Sequence, residues 1–205
     1  MNLLISSYCR ICSDPENTGN LIVKTFDNEL IEPNDPILLY KHTEIEYPKY
    51  FKMDMISKFG ILAAEWMFKN NNTLNKYQYT DIGVVLSSAN GSMDTDIEFN
   101  KTIESKDNFF PSPAIFVYTL SNIVMGELCI RYKMKGENAF FISEKFNADL
   151  LMTYVTDLLV NKKSEAILTG WIDYFDGKPD VLLIFVEKGA DGKKNFNKKN
   201  IELLY

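Results

Sequence analysis

Few residues in this chain have the types and spacing that chemistry needs. Cys9-Arg10-Ile11-Cys12 is a C-x-x-C. A zinc or cluster site would need about two more soft ligands, and the chain offers only Cys129 and His42, neither paired with a neighbour. A redox C-x-x-C opens a helix, whereas this one lies within a strand-like run, so structural cysteines are expected. His42 is the only histidine. Any Ser/His/Asp or Cys/His arrangement would have to use it, yet it follows a Pro-rich loop and reads as a surface or loop residue. Ala89-Asn90-Gly91-Ser92 is followed by no G-K-[ST] and is a turn, not a P-loop. Asp94, Asp96 and Glu98 have the donors for a divalent ion, but acidic residues equally suit a helix start, which is the reading taken. The lysines of Lys193–Lys199 read as a solvated loop. That leaves Ser143, Glu144 and Lys145. They stand where a strand is expected to run into a helix, a place where backbone N–H groups and the helix dipole converge. No metal and no cofactor is expected.

The chain has 205 residues, 46% of them hydrophobic and 24% charged, enough to bury a sizeable core in one domain. A net charge of −6 argues against nucleic-acid binding through a general basic surface. Three cysteines, an odd number, make no disulfide framework and fit a reduced, cytoplasmic compartment. The N-terminus has no basic region ahead of its short apolar run, so no secretory signal is read. Asn71-Asn72-Thr73 and Asn90-Gly91-Ser92 are then without meaning as glycosylation sites. No segment approaches the roughly 18–20 apolar residues that span a bilayer.

The elements that must position these residues follow from periodicity and punctuation. Leu3–Cys12 reads as a strand, Ser13–Asn20 as a loop, and Asn28–Tyr40, with Pro33 and Pro36, as irregular. Met53–Lys69 is the clearest helix, with Met53, Ile56, Phe59 or Gly60, Ala63 and Met67 at three-to-four spacing and Asn70-Asn71-Asn72 as its stop. Thr80–Ser87 reads as a buried strand and Thr95–Glu104 as a short helix. Pro113 suits the first turn of a helix running to about Lys133. Within it Gly126 suggests close approach of another backbone, and Gly136 would end the segment. Asn138–Ser143 is a short strand. Lys145–Lys162 is amphipathic, with Phe146, Leu150, Tyr154 and Leu158 on one face. Ala166–Trp171 and Val181–Val186 are strands, Gly189–Lys199 is a polar hairpin loop or mobile segment, and Ile201–Tyr205 is a candidate last strand. Strands alternating with helices favour α/β architecture, a mixed sheet with helices packed on it.

Taken together these stretches resemble the N-terminal half of the β-ketoacyl-acyl carrier protein synthases, which have the thiolase-like fold. The resemblance rests on LLISSYCRI (Leu3–Ile11), YFKMDMISKFGILAAEWMF (Tyr50–Phe68), DIGVVLSSANGS (Asp81–Ser92), the segment from Phe110 with Asn122, Gly126 and Gly136, and EAILTGWID (Glu165–Asp173). It covers nearly the whole chain as one domain, residues 1–205, a single repeat of the fold. It is nearest to small ketosynthase-like proteins of aryl-polyene and flexirubin-type pathways.

The resemblance implies a cysteine nucleophile at the strand-to-helix turn. Counting from either flank, nine residues after Gly136 and twenty-five before Gly170, the position falls on Lys145. A thiolate there would be stabilised by the helix dipole and would accept an acyl group from a carrier thioester. A lysine is cationic, the same dipole disfavours its charged form, and an amide would end the transfer. The family's two histidines lie in a C-terminal half that a chain ending at Tyr205 is expected to lack, and His42 matches neither. The resemblance therefore implies a non-catalytic ketosynthase-like subunit. It would form a homodimer, or a heterodimer with a full ketosynthase, through the strand Ala139, Phe140, Phe141, Ile142 and Ser143, with an acyl carrier protein as a further partner. Two alternatives stand beside it. One is an acyl-transfer enzyme acting on carrier thioesters with Lys145 or Ser143 as nucleophile. The other is a binding module for an acyl chain or carrier arm, with Phe109, Phe110 and the residues up to Tyr118 lining its groove.

Overall fold

A mixed β-sheet runs through the molecule and carries helices on both faces. The computed structural model describes residues 2–69, 72–189 and 192–205, the side chain of Asn108 excepted. The strands are β1 (Leu3–Ser13), β2 (Asn20–Lys24), β3 (Glu29–Pro33), β4 (Ile82–Ser88), β5 (Asn138–Ile142), β6 (Ala166–Phe175), β7 (Lys178–Lys188) and the short β8 (Lys194–Asn195). Their order is β3-β2-β1-β7-β6-β4-β5, with β8 pairing the start of β1. β4 is parallel to both β5 and β6, and the remaining pairs are antiparallel. The helices are α1 (Pro36–Thr43), α2 (Met55–Phe68), α3 (Met93–Lys101), α4 (Pro113–Phe116), α5 (Ile123–Tyr132), α6 (Ala148–Val160) and α7 (Lys198–Leu204).

The two sheet faces bury separate cores. On one, α1, α2 and α5 cover Cys9, Ile11, Val84, Leu86, Leu183 and Phe185. On the other, α6 and α7 cover Ile5, Val85, Ile167, Leu182 and Ile184. Odd spacing along a strand separates the faces, so Cys9 and Cys12 point to opposite sides of β1 and cannot form a paired site. Burial raises the pKa of both thiols. α2 sits deepest because Gly60 lets it close on the sheet: a Cβ there would lie 2.6 Å from Ile172 and 2.7 Å from Val124.

Several sequence expectations are corrected. Residues 28–40 are not irregular. They complete the β2–β3 hairpin and begin α1, which Asp35 caps by accepting from the Ile37 N–H. The helix expected from Pro113 to Lys133 is two helices. Between them Thr119 Oγ1 donates to the Phe116 carbonyl, and the Thr119 carbonyl accepts from Ser92 Oγ. Such local side-chain bonds compete with helical ones. Gly126 has open space where a Cβ would be, and the helix ends at Lys133 in the left-handed region, not at Gly136. α6 starts at Ala148 behind an Asn147 cap, and it buries Ala148, Leu151, Val155, Leu158 and Leu159 in place of the face through Leu150 and Tyr154. Ile201–Tyr205 is not a strand. α7 covers it, capped by Asn197 and burying Ile201 and Leu204. The expected stop at Asn70-Asn71-Asn72 and the middle of Gly189–Lys199 lie partly outside the described residues, at 70–71 and 190–191.

Candidate functional site

β5 lies at the edge of the sheet with β4 as its single neighbour. Its side chains alternate between the layers. Phe140 packs toward the α2 side and Phe141 toward α6, where its ring meets Tyr154 edge-on at 5.1 Å. Its outer backbone edge is unpaired among the described residues. The strand NAFFI carries no charge, and Ile142 at its end is 60% exposed. Phe109, Phe110, Phe116, Val117 and Leu120 are exposed as well, and Ser121 and Ile142 both crowd the turn at Gly91.

After Ile142 the chain makes a short link into α6. The Ser143 N–H donates to the Ser88 carbonyl at 2.9 Å, extending the parallel pairing by one residue. Glu144 and Lys145 follow, exposed, and Asn147 caps the helix by accepting from the Leu150 N–H at 3.0 Å. Lys145 thus precedes the cap by two residues. It is off the helix end where the dipole acts most strongly, and its ammonium makes no hydrogen bond or ion pair among the described residues. His42 lies on α1 beside Glu32, 3.4 Å away, next to the opposite sheet edge. The structure therefore keeps Ser143, Glu144 and Lys145 together and brings no histidine to them.

Two side-chain clusters support this junction, and neither stands out in the sequence. The first is Asp173 on β6. Its Oδ1 accepts from Ser88 Oγ (2.6 Å) and from the Ala89 and Asn90 N–H groups (3.1 and 2.8 Å), and its Oδ2 accepts from Asn90 Nδ2 (2.6 Å). Ser88 Oγ in turn accepts from the Gly91 N–H at 2.9 Å. The turn after β4 is thereby locked, with Gly91 at φ 55°. An aspartate closing an otherwise apolar strand was the only sign of it. The second cluster holds Phe146, the residue after Lys145. Its ring stacks on Tyr205 at 4.0 Å and meets Trp171 edge-on at 6.2 Å. Tyr205 Oη and Trp171 Nε1 both donate to Asp180 Oδ2, at 2.6 and 2.9 Å. Arg10 pairs with Asp180 at 2.6 Å, donates to the Tyr205 main-chain oxygen at 2.9 Å, and lies over the Tyr205 ring at 4.5 Å. Burial, then the bond to Asp180, raises the Tyr205 pKa, so the phenol stays a donor. Asp94 and Asp96 lie in the first turn of α3, where Ser92 Oγ donates to Asp96 at 3.1 Å. No group of His, Cys, Asp and Glu among the described residues could hold a metal ion. No described helix is long and apolar enough to cross a membrane.

No known protein family and no curated protein matches the sequence. Solved structures do match. The ishigamide ketosynthase/chain length factor aligns with a TM-score of 0.65 at 12% identity, over 95% of this chain and 64% of that one. A type II PKS acyl-carrier protein in complex with its ketosynthase bound to the hexaketide aligns at 0.62 and 12%, over 91% and 62%. The ketosynthase ApeO in complex with its chain length factor ApeC, from Xenorhabdus doucetiae, aligns at 0.58 and 12%, over 100% of this chain and 90% of the matched one. The chain thus spans less than two thirds of the length of the first two. It has the thiolase-like fold of ketosynthase and chain length factor chains, with Lys145 at the strand-to-helix turn.

Proposed function

We propose that the protein is a non-catalytic, ketosynthase-like subunit of a polyketide or aryl-polyene type system, which acts by pairing through β5. The observation that carries this reading is the free, uncharged, apolar edge of β5, directly beside a junction where Lys145 has neither a thiol nor a histidine near it. An edge of this kind is a template for another strand. An isologous two-fold contact, or its pseudo-symmetric counterpart with a ketosynthase, would satisfy its N–H and C=O groups. The ketosynthase/chain length factor pairs with the same fold support the heterodimer in particular. An acyl carrier protein would be met by the assembled pair.

Co-expression with a ketosynthase and a carrier protein encoded beside it is the test. The expected result is a stable complex that survives size-exclusion chromatography and is lost in Ile142→Asp. A strict monomer that binds neither partner would sink the proposal. Mass spectrometry of the protein after exposure to acyl-carrier thioesters separates it from acyl transfer: an acyl adduct on Lys145 or Ser143 would favour the enzyme.

A further inference from the structure

A second place in the molecule, far along the sheet from β5, has the make-up of a small-molecule site. β1 carries a bulge between Ile5 and Ser7, where its register against β7 slips. Bulges re-aim side chains and are enriched beside functional sites. Here the bulge puts Ser7 on the same face as Cys9 and Ile11, the face that α2 covers. Ser7 is 8% exposed, and its hydroxyl has no hydrogen-bond partner among the described residues. It lines a cleft of about 500 Å³ bounded by β1, the β2–β3 turn, α1 and α2, a volume in the range of ligand pockets. Trp66 of α2 lines it too, and its indole N–H is likewise buried and unpartnered. Phe26 adds a second aromatic wall.

The charge at this cleft runs against that of the chain. Lys69 and Lys193 line it beside His42, and Asp27 is the one carboxylate among the described residues that does, in a protein of net charge −6. Both lysines now hold solvent-facing carboxylates. Lys193 pairs with Asp27, whose side chain is 74% exposed, and Lys69 with Glu44, 79% exposed. Exposed pairs of this kind contribute little, so a ligand anion can take their place. The lysines supply charge and the Trp66 N–H and Ser7 O–H supply directional donors. The aromatic walls supply a flat apolar surface.

We infer that this cleft binds a small organic oxyanion, a carboxylate or phosphate joined to a flat apolar group. The oxyanion would meet Lys69 and Lys193, and the flat group would lie against Trp66 and Phe26. The site is independent of β5 and of the pairing proposed there.

Two-dimensional NMR of the 15N-labelled protein tests it, because the chain has only two tryptophans. The Trp171 indole is bonded to Asp180 in the junction cluster and serves as an internal control. Trp66→Phe assigns the other signal. Titration with benzoate and with phenyl phosphate should move the Trp66 indole signal saturably and leave that of Trp171 in place. The two probes tell a carboxylate site from a phosphate site. The K69Q/K193Q variant, which removes two carboxylate pairs with the Lys69 bond to the His42 carbonyl and the Lys193 contact with the Phe26 ring, should bind about tenfold more weakly or worse. No saturable shift with either probe up to about 10 mM would overturn the inference, a limit weaker than any ordinary specific site. So would undiminished binding in the double variant. Inorganic phosphate binding as tightly as phenyl phosphate would remove the flat group from it.

Discussion

The two edges of the sheet differ in how they meet water. At one edge β3 reads Glu29-Leu-Ile-Glu-Pro33. It is short, carries two carboxylates and a proline, and has its charges engaged, Glu29 with Lys24 at 2.9 Å and Glu32 with His42 at 3.4 Å. These are the devices by which edges avoid pairing. At the other edge β5 reads Asn138-Ala-Phe-Phe-Ile142, as short as β3 but with neither a charge nor a proline. Both edges expose an isoleucine, Ile31 at 56% and Ile142 at 60%, so exposure alone does not distinguish them. Their surroundings do. β3 is flanked by the Lys24–Glu29 ion pair and the Glu32–His42 contact, β5 by Lys145, which has no partner among the described residues. A sheet that guards one edge and leaves the other bare has a direction in which it can be extended.

Substitutions at and between the two edges test this asymmetry. The largest effect is expected between the edges. A Cβ on Gly170 would run into the Leu182 carbonyl oxygen of the neighbouring strand, and the residue has φ 155°. Gly170→Ala should cost about 3 kcal/mol or more, read as a lowered urea midpoint, and should weaken both edges alike. A smaller effect, set by pH, is expected at Asp54, the cap of α2. It accepts from the Ser57 N–H at 3.2 Å and from Thr95 Oγ1 at 3.4 Å. Burial pushes its pKa from 3.8 up to about 6. A raised carboxyl is penalised when ionised in the fold, so its contribution is best below pH 3.8, falls as pH rises toward 6, and is lowest above that. Asn keeps the cap without the charge. Asp54→Asn should therefore gain stability over the wild type from about pH 4 to pH 6, by up to about 3 kcal/mol at pH 7. Equal pH profiles for the two proteins would refute this.

Smaller still is the direct contrast of the edges. Ile142→Asp should weaken association with a second chain about tenfold or more, some 1.4 kcal/mol, while Ile31→Asp leaves it unchanged. Sedimentation of both variants decides, and equal losses would end the distinction. The smallest effect belongs to Lys145→Ala. An exposed, unpaired lysine should change stability by under about 0.5 kcal/mol and should leave association intact.

How much of this was legible in the sequence depended on how many residues wrote each feature. The buried strand around Val84-Val85-Leu86 and the helix from Met55 announced themselves through long apolar patterns. β3 and α1 did not, because two prolines in the stretch hid a strand end and a helix start behind what read as irregular chain. The last residues, Ile-Glu-Leu-Leu-Tyr, are too few to separate a period of two from one of three to four. The Asn197 cap decided for the helix. The β5–α6 junction was found through its spacing to Gly136 and Gly170, but its supports were not. Asp173, Asp180 and Arg10 each stand singly in apolar strands, and only tertiary contact gives them meaning. The bulge at Ser6-Ser7 leaves no trace in composition at all.

The bond from Arg10 to Tyr205 joins residues 195 positions apart. Read as an event in time, it cannot form until Tyr205 has followed Arg10 by 195 residues of synthesis. Phe146 can meet Trp171 earlier, but its stacking partner arrives only when residue 205 has left the ribosome, and contacts of such sequence separation slow refolding too. The junction is thus finished after the sheet beside it. Through that interval β5 is a bare edge beside an unanchored link, and a partner already present would meet it before the chain had closed on itself.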